Sequence, residues 1–377
     1  MKLWKFIIPE FSIEVIFTEN GVLTRDLIAN TTLFSESFLK KVVNVIREED
    51  YNTFSAKTAG VSEIDTEPVK DYDVIIEFAS QHSEISTGAG YILDISVDSH
   101  DHGYYFGLYQ IGEFSLDGDG NLVLLRTFDL QHVVAGSGLV DEKLMYVILR
   151  EEELPAKAQH YYLIKLDWEK NPPEFIWKKS LKTAAGTMLT HGKKLYIGMN
   201  DGSLEIWDLE EGKILEAKQL FTNGVRKIER GFQDILLSAQ SGETAALTEE
   251  GEILWKTKLG ASGIQGLVED ERGIHLASEK GDYSCLAPKT GEKTDSFRWV
   301  PIPASNLVVV RDWLVGSGSY GVHGVYLKDK KKTYHHFMED PLIRRFVRHP
   351  RGFITGDDDG KIRFWKIGGI KIVEVER

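Results

Sequence analysis

The sequence predicts an all-β fold: a β-propeller of seven blades, with eight blades as the alternative, preceded by an amino-terminal hairpin-plus-helix extension. Three observations lead to this prediction: a repeat of about 40 residues, four short strands in each repeat, and a length of 377 residues. This length exceeds a typical single domain but suits a ring, because each repeated unit packs only on its neighbours. The 35 glycines are consistent with a chain that makes many tight turns.

The repeat is marked by a glycine in a tight turn between two apolar strands. Five stretches share this shape, and they cover residues 195–209, 235–249, 274–288, 312–327 and 352–367. The turn glycines are spaced by 40, 39, 40 and 39 residues, and they are Gly202, Gly242, Gly281, Gly321 and Gly360. A further short strand lies before each stretch, and a hairpin with a last strand follows it. Four strands in about 40 residues are typical of a propeller blade.

Two weaker units precede the five regular ones. Residues 91–111 place a turn glycine at Gly103, and residues 143–168 place a turn near His160. Counting both units predicts seven blades, in a propeller domain that covers residues 70–377.

The sequence leaves the closure of the ring open. Residues 370–376 supply a fourth strand for the last blade, so a closing strand from the amino-terminal part is not required. In the eight-bladed alternative, residues 1–69 form the additional blade.

Residues 1–69 differ from the rest of the chain. Asn20-Gly21 predicts a β-hairpin over residues 13–29, because this dipeptide favours a two-residue hairpin turn. The apolar residues of segment 35–50 recur with the period of a helix and share one face. The extension either caps the propeller or forms a separate partner-binding element.

Two kinds of propeller repeat resemble parts of this chain. Residues 198–213 and 355–369 resemble WD repeats, and residues 248–293 resemble the blades of quinoprotein-like propellers. The resemblance is good over residues 180–377 and loose over residues 70–180. It implies the propeller architecture, and it is poor for function.

The resemblance also implies what to look for in single blades. A WD repeat carries a hydrogen-bonded set of His, Ser or Thr, Asp and Trp, of which Thr355, Asp357 and Trp365 supply a partial version in the last blade. The glycine-histidine pair that supplies the histidine is absent. Quinone-dependent enzymes of this architecture resemble one another in being exported and in carrying vicinal cysteines. Neither trait is found here, so no quinone cofactor is expected.

Composition excludes several functional classes. The formal charge is 45 − 58 = −13, which repels phosphate backbones and argues against general nucleic-acid binding. Cys285 is the single cysteine, so no intrachain disulfide forms. The first residues lack the features of a signal peptide, and no apolar run is long enough to span a membrane. We therefore expect a cytoplasmic protein.

No motif combines into a catalytic or metal site. The aspartate-glycine segments 117–121 and 357–360 have the composition of turns, and Asp98, His100 and His102 are too few ligands for zinc. The glycine motif at 316–321 lacks the helix that a dinucleotide site needs. Catalytic residues, metal and cofactor are therefore all predicted to be absent.

The most informative polar signal is basic. Aligned on the turn glycines, two first strands carry the same pattern, which pairs Arg226 with Arg344, Lys227 with Arg345 and Arg230 with Arg348. First strands line the central channel of a propeller, and arginine forks suit carboxylate or phosphate. Either these cations pair internally with Asp357, Asp358 or Glu229, or they form an anion-binding mouth.

The turns between second and third strands share one face of the ring, and loops on a rigid scaffold commonly carry binding residues. Asn200, Lys280 and Tyr320 are the candidates there. We expect a non-catalytic scaffold that presents these loops and a partly basic channel mouth to protein partners, among them acidic or phosphorylated ones. The alternative is an enzyme or sensor that binds a small anionic ligand or metal in the channel.

Overall fold

The structure is a computed structural model whose described residues are almost entirely β-strands and the turns between them. It describes residues 4–8, 13–18, 21–26, 75–76, 79–97, 102–130, 132–141, 143–153, 158–260, 262–298, 305–318, 321–328, 330, 333–337, 343–367 and 370–371. Across these ranges, no helix is long and apolar enough to cross a lipid bilayer.

The amino-terminal extension contains a three-stranded antiparallel sheet with the order β1-β2-β3. Its strands are β1 (Trp4–Ile8), β2 (Ile13–Thr18) and β3 (Gly21–Asp26). The predicted hairpin is present, since Thr18 pairs with Gly21, and β1 is an additional strand that the sequence analysis did not predict. The helix predicted over residues 35–50 lies outside the described residues. Two short strands follow, β4 (Ile75–Ile76) and β5 (Ala79–Ser86).

The first four blades are four-stranded antiparallel sheets in chain order. Blade 1 contains β6 (Ile92–Val97), β7 (His102–Gly107), β8 (Gln110–Leu116) and β9 (Leu122–Asp129). Blade 2 contains β10 (Val133–Asp141), β11 (Leu144–Glu153), β12 (Ala158–Asp167) and β13 (Glu174–Leu181). Blade 3 contains β14 (Ala185–His191), β15 (Lys194–Met199), β16 (Ser203–Asp208) and β17 (Lys213–Gln219). Blade 4 contains β18 (Val225–Arg230), β19 (Ile235–Ala239), β20 (Glu243–Leu247) and β21 (Ile253–Lys258).

The remaining strands complete three more blades and one small sheet. Blade 5 contains β22 (Ile264–Asp270), β23 (Gly273–Ser278), β24 (Asp282–Leu286) and β25 (Lys293–Arg298). Blade 6 contains β26 (Ser305–Val310), β27 (Trp313–Gly318), β28 (Gly321–Tyr326) and β29 (Thr333–Phe337). Blade 7 begins with β30 (Ile343–His349), β31 (Gly352–Asp357) and β32 (Lys361–Ile367), and β33 (Ile370–Lys371) follows.

The first strands of the seven blades form a closed ring around the channel. Each one lies against the next, in the order β6, β10, β14, β18, β22, β26 and β30, and β30 returns to β6. The prediction of seven blades is confirmed, and the eight-bladed alternative is wrong. Strand β3 lies beside β29, so the amino-terminal sheet sits at the outer edge of blade 6 and not between two blades.

The ring closes differently from the sequence-based expectation. The fourth strand of blade 7 is β5, which pairs antiparallel with β32 from Ser86 opposite Lys361 to Ala79 opposite Ile367. The prediction that residues 370–376 supply this strand is wrong, because β5 occupies that place, and β33 pairs with β4 instead. An early and a late part of the chain therefore share one blade, which ties the ends of the ring together.

The turn positions predicted for the first two blades are corrected as well. Gly103 lies inside β7, opposite Phe114, and the turn between the second and third strands comes after Gly107. His160 lies inside β12, opposite Glu151, and not in a turn. The strands of blade 2 are 8 to 10 residues long, and in blade 1 the second and third strands are only two residues apart, so the regular repeat could not locate these turns.

Apolar residues hold the blades together at every interface. Seven clusters of buried residues each join two adjacent blades, including the pair formed by blades 7 and 1. In the last of these, Ile354 and Phe364 of blade 7 pack with Ile92 and Phe114 of blade 1. Because every blade has two such interfaces, the ring buries its hydrophobic surface without a single central core.

The repeated glycine has a specific structural reason. Gly242 has a φ of +78°, and a Cβ placed there would lie 2.4 Å from the carbonyl oxygen of Gly260. Its own carbonyl accepts the backbone N–H of Leu259 at 3.0 Å. The turn between the second and third strands is thus bonded to the loop that leads into the next blade, and a side chain has no room there.

Candidate functional site

The channel mouth is built from irregularities in the first strands. In each blade the pairing between first and second strand shifts near the point where the chain enters the blade. In six blades a single residue is left without a cross-strand partner, and these are Leu93, Gly186, Arg226, Gln265, Asn306 and Arg344. Such bulges commonly redirect side chains at the rims of barrels and beside functional sites. We call the rim that these residues form the channel mouth.

The first strands of blades 4 and 7 each carry three of the aligned cations, which we call the two basic triplets. Within each triplet the three cations do not lie at the same end of the strand. Arg226 and Arg344 are the bulge residues of blades 4 and 7. Arg230 pairs with Ile235 and Arg348 with Phe353, so these two arginines lie toward the opposite end of the channel. The structure therefore brings the first two cations of each triplet, but not the third, to the channel mouth.

The blade 7 arginines are paired within the protein. Arg344 donates to both carboxylate oxygens of Asp358, at 3.0 Å for Nη2, and its guanidinium lies 5.8 Å from the centre of the Tyr91 ring. Arg345 donates to Asn306 Oδ1 at 3.2 Å, and its Nε lies 3.2 Å from Asp94 Oδ1. This pairing leaves little free positive charge on the blade 7 side of the mouth.

The network continues beyond blade 7. Asp94 also accepts a 2.6 Å hydrogen bond from Ser137 Oγ, and Asn306 Nδ2 donates to the carbonyl oxygen of Arg344 at 2.6 Å. Polar side chains therefore connect the first strands of blades 6, 7, 1 and 2 across the mouth.

The blade 4 cations differ from one another. Lys227 pairs with Glu229 at 2.9 Å, and Arg230 pairs with Glu249 at 3.0 Å. Arg226 has a half-buried side chain whose Nε is fully buried and has no hydrogen-bond partner among the described residues. Arg348 also makes no ion pair among the described residues. It is exposed, however, so water can solvate its guanidinium. Arg226 is therefore the cation of the mouth that the protein leaves unneutralised.

The loop candidates are placed unequally. Asn200 is exposed on the turn after β15, and its backbone N–H donates to Ala184 O at 2.8 Å, which places it beside the start of β14. Lys280 is exposed on the corresponding turn of blade 5. Tyr320 lies outside the described residues. A binding role for these residues, and for the six cations, stays a prediction.

The outer rim carries a feature that the sequence analysis did not identify. In the fourth strands of blades 1 to 4, one residue bulges out of the pairing, and these residues are Leu125, Ile176, Leu215 and Leu254. A second apolar residue lies next to each or two positions before it, and these are Val123, Phe175, Ile214 and Ile253. All eight side chains are 44% to 56% exposed. We call this set the apolar arc.

The apolar arc is not a requirement of the fold. The corresponding bulge residues are Thr294 in blade 5 and His82 in blade 7, which are both polar. Single exposed apolar residues are common on proteins, but a regular series at one structural position marks an interaction surface more often. Covering each half-exposed side chain is worth roughly 1 kcal/mol. The sequence signal for the apolar arc is the Ile-Leu pair that recurs in the fourth strands. It does not identify a surface by itself, because the alternation of a strand assigns every second residue to the core.

The aspartate-glycine segment 117–121 and His102 make contacts within the protein. Asp117 accepts the backbone N–H groups of Asp119 at 2.9 Å and Asn121 at 2.7 Å, and Lys366 of blade 7 donates to Asp119 O at 2.7 Å. His102 lies 3.2 Å from Glu113, whereas Asp98 and His100 lie outside the described residues. In the part of the chain that the structure covers, no group of three or more His, Cys, Asp or Glu is arranged to hold a metal ion.

The partial WD-type set is divided between two contacts. Trp365 Nε1 donates to Thr355 Oγ1 at 2.9 Å, as expected of such a set. Asp357 instead bonds to the buried guanidinium of Arg363. Cys285 is buried inside blade 5.

Two buried titratable groups have the surroundings of structural residues. His275 lies 2.7 Å from both Asp270 Oδ1 and the hydroxyl of Tyr283, and all its ring nitrogens are thereby used. Glu205 accepts a 3.0 Å hydrogen bond from Trp207 Nε1, and burial raises the pKa of this carboxyl. Both groups lie within blades and not at the channel mouth.

The raised pKa of Glu205 leads to a stability prediction. A carboxyl whose pKa is raised by folding disfavours the folded state when it is ionised, so its cost is present at neutral pH and fades as the pH falls through the raised pKa. Glu205→Gln keeps an acceptor for Trp207 and should stabilise the protein by roughly 1 kcal/mol at pH 7. Urea unfolding between pH 5 and 8 would measure this gain, with the exposed Glu210→Gln as the control. A loss of stability at pH 7 would contradict the prediction.

Comparisons with known proteins agree with the architecture. No protein-family model matches the chain, and no curated protein matches it in sequence. Among solved structures, the computationally designed Ika8 protein is similar with a TM-score of 0.58 and 11% identity, over 76% of this chain and 99% of the designed one. BamB from Moraxella catarrhalis is similar with a TM-score of 0.57 and 14% identity, over 76% of this chain and 99% of BamB. At these identities the likeness shows the fold alone, and the chain is a seven-bladed β-propeller.

Proposed function

We propose that the protein is a non-catalytic interaction scaffold, and that the apolar arc is its main protein-binding surface. The loops and the channel mouth add polar contacts on the face of the ring where chains enter the blades. The observation that carries the proposal is the exposure of an apolar bulge residue at the same position of four consecutive blades, each with a second exposed apolar residue close before it. Contiguous or regular exposed apolar surface of this kind is typical of protein interfaces.

The shape of the arc favours an extended partner. The fourth strands face away from the channel, so the arc is convex and follows four of the seven blades. A second copy of the ring is also convex and would touch only one or two blades at a time. A segment of another protein that lies along the rim can contact all four blades, as extended segments commonly do when they bind.

Charge around the arc favours acidic residues in this segment. Each fourth strand carries cations within four residues after its bulge residue. Four of them are already paired within the protein, Arg126 with Glu113, Lys178 with Glu151, Lys218 with Glu216 and Lys256 with Glu243. Lys179 and Lys258 have no acidic partner among the described residues, so they carry the free positive charge. Their long apolar stems extend the hydrophobic surface while their charged ends remain near solvent. A partner with apolar side chains followed by Asp or Glu would complement both features.

Photo-crosslinking in the cell of origin tests this proposal. A crosslinking amino acid is placed singly at Ile176, Leu215 and Leu254, with Thr294 as the matched control at the same position of blade 5. We expect one partner protein to be captured from all three arc positions and not from Thr294. Its crosslinked peptides, identified by mass spectrometry, should come from one acidic and apolar segment and follow the order of the blades.

Two results would overturn the proposal. Crosslinks only to a second copy of this chain would assign the arc to self-association, and sedimentation would then show a dimer that Leu215→Lys dissociates. Equal capture at Thr294 and at the three arc positions, or no capture at any of them, would remove the arc as a specific surface.

A further inference from the structure

We propose that Arg226 and Asn200 form a binding subsite for one carboxylate or phosphate group at the channel mouth, between blades 3 and 4. The subsite lies on the face of the ring and not on its rim. It does not depend on the apolar arc or on the scaffold role.

The first argument is the charge that remains after internal pairing. Arg344, Arg345 and Lys227 are each held by a carboxylate at the mouth. Among the described residues no carboxylate reaches Arg226, although the chain carries a net charge of −13 and acidic side chains are plentiful. Among the residues of the mouth that the structure describes, Arg226 is therefore the guanidinium without a carboxylate partner.

The second argument is the buried Nε of Arg226. This N–H group has lost its contact with water, and no acceptor replaces the water in the described part of the chain. A buried donor without an acceptor costs free energy, and the cost is larger for a charged group. If the side chain turns toward a bound anion, this N–H group gains an acceptor and the cost is removed, so binding of an anion is favoured beyond the attraction between the charges.

The third argument is the position of Asn200. Gly186 occupies in blade 3 the bulge position that Arg226 occupies in blade 4, so the neighbouring place on the rim has no side chain. The nearest atoms to a Cβ built on Gly186 are Asn200 Oδ1 at 3.7 Å and Val225 O at 3.9 Å, which are van der Waals distances. Gly186 therefore lies between Asn200 and the residue preceding Arg226, and Asn200 is the polar side chain next to the blade 4 bulge.

The chemistry of the walls defines the class of ligand. The guanidinium offers a planar pair of N–H donors, which matches two oxygens of a carboxylate or phosphate. The exposed side-chain amide of Asn200 adds two further N–H donors once its NH2 group, in place of Oδ1, turns toward the anion. The anion can come from a free phosphate or from an acidic or phosphorylated side chain of a peptide.

Thermal unfolding in the presence of inorganic phosphate is the first test. A ligand that binds only the folded state raises the unfolding midpoint by an amount that grows with the ratio of its concentration to Kd. We expect a rise with phosphate that sodium chloride of equal ionic strength does not reproduce. Arg226→Ala should abolish the rise, and Arg226→Lys should weaken it about tenfold or more in apparent Kd, because a lysine cannot bind bidentately.

Matched variants keep the test specific. Arg348→Ala removes an exposed arginine of blade 7 that lies toward the opposite end of the channel, so it should leave phosphate binding unchanged. Gly186→Leu removes no charged group but places a branched side chain against Asn200 and the start of β18, so it should also abolish binding. Gly186 does not have a positive φ, so the larger side chain is compatible with its backbone.

Peptides distinguish the sources of the anion. A glutamate-rich peptide, a phosphoserine peptide and inorganic phosphate are titrated separately against the wild-type protein and Arg226→Ala. Binding of a peptide alone assigns the subsite to acidic segments of proteins, and binding of phosphate as well assigns it to small anions. The proposal is overturned if none of the three probes binds saturably, or if Arg226→Ala and Gly186→Leu bind as well as the wild type.

Discussion

A chain that begins at Gly88 is expected to lose most of its folding stability, whereas a chain that begins at Tyr72 keeps it. The longer chain retains β5, the fourth strand of blade 7, which pairs with β32 over residues 79–86. The shorter chain leaves the edge of β32 open and breaks the link between the two ends of the ring. We expect a loss of more than about 4 kcal/mol, which exceeds the effect of ordinary single substitutions.

Specific side chains make this closing strand strong. Glu84 pairs with Arg363 at 2.7 Å and with Lys361 at 3.0 Å, and Thr87 Oγ1 donates to Gly360 O at 2.8 Å. Through this hydrogen bond, the turn of blade 7 at Gly360 is attached to the segment that leads into blade 1. In blades 3 and 4 the equivalent turn is bonded to a loop that is close in sequence, as Gly242 is to Leu259.

Urea unfolding followed by circular dichroism and size-exclusion chromatography compares the two chains. The chain from Tyr72 serves as the control, because it lacks β1–β3 but retains all seven blades. Equal unfolding midpoints for both chains would show that β5 does not close the ring.

Arg363→Ala is expected to destabilise the protein by about 3–5 kcal/mol, because it leaves a buried carboxylate without its counter-ion. Asp357 is fully buried, and Arg363 is nearly so. The Asp357 carboxylate also accepts the backbone N–H groups of Asp359 at 2.9 Å and Lys361 at 3.0 Å, but these neutral donors do not replace the guanidinium charge. Arg363 also holds Glu84, so its loss weakens the closing strand as well.

Two further variants separate the buried pair from general effects. Lys361→Ala removes an exposed partner of the same Glu84, and exposed ion pairs contribute less than about 1 kcal/mol. The double variant Asp357→Asn with Arg363→Met removes both charges and should recover part of the stability lost in Arg363→Ala. If Arg363→Ala is no more harmful than Lys361→Ala, the buried pair does not have the assigned role.

Much of the fold was predictable because its rules are local. Gly202 and Gly242 stand in turns that need a positive φ and leave no room for a side chain, so the chain must place glycine there in each regular blade. The first and last residues of the strands between these glycines are determined by turn residues a few positions away. Blades 1 and 2 depart from this spacing, and for that reason Gly103 and His160 were assigned to turns although both lie in strands.

The candidate site was predictable only in part. Alignment on the turn glycines placed Arg226 and Arg344 at equivalent positions, and the structure puts both at bulges of the channel mouth. Alignment could not show that Arg344 is neutralised by Asp358 while Arg226 is left without an acceptor among the described residues. The difference depends on the side chains of neighbouring blades, which are about 40 residues away along the chain.

The repeated unit and the absence of an intrachain disulfide follow from the sequence alone, which also predicted seven blades with eight as the alternative. Each of these depends on residues close together in the chain or on a simple count. Tertiary structure alone decided that β5 closes the ring, that Asp357 is buried against Arg363, and that apolar residues remain exposed on the outer strands of blades 1 to 4. These features arise because closing the ring brings residues up to 284 positions apart into contact, and only that closure decides which side chains find partners and which are left to bind other molecules.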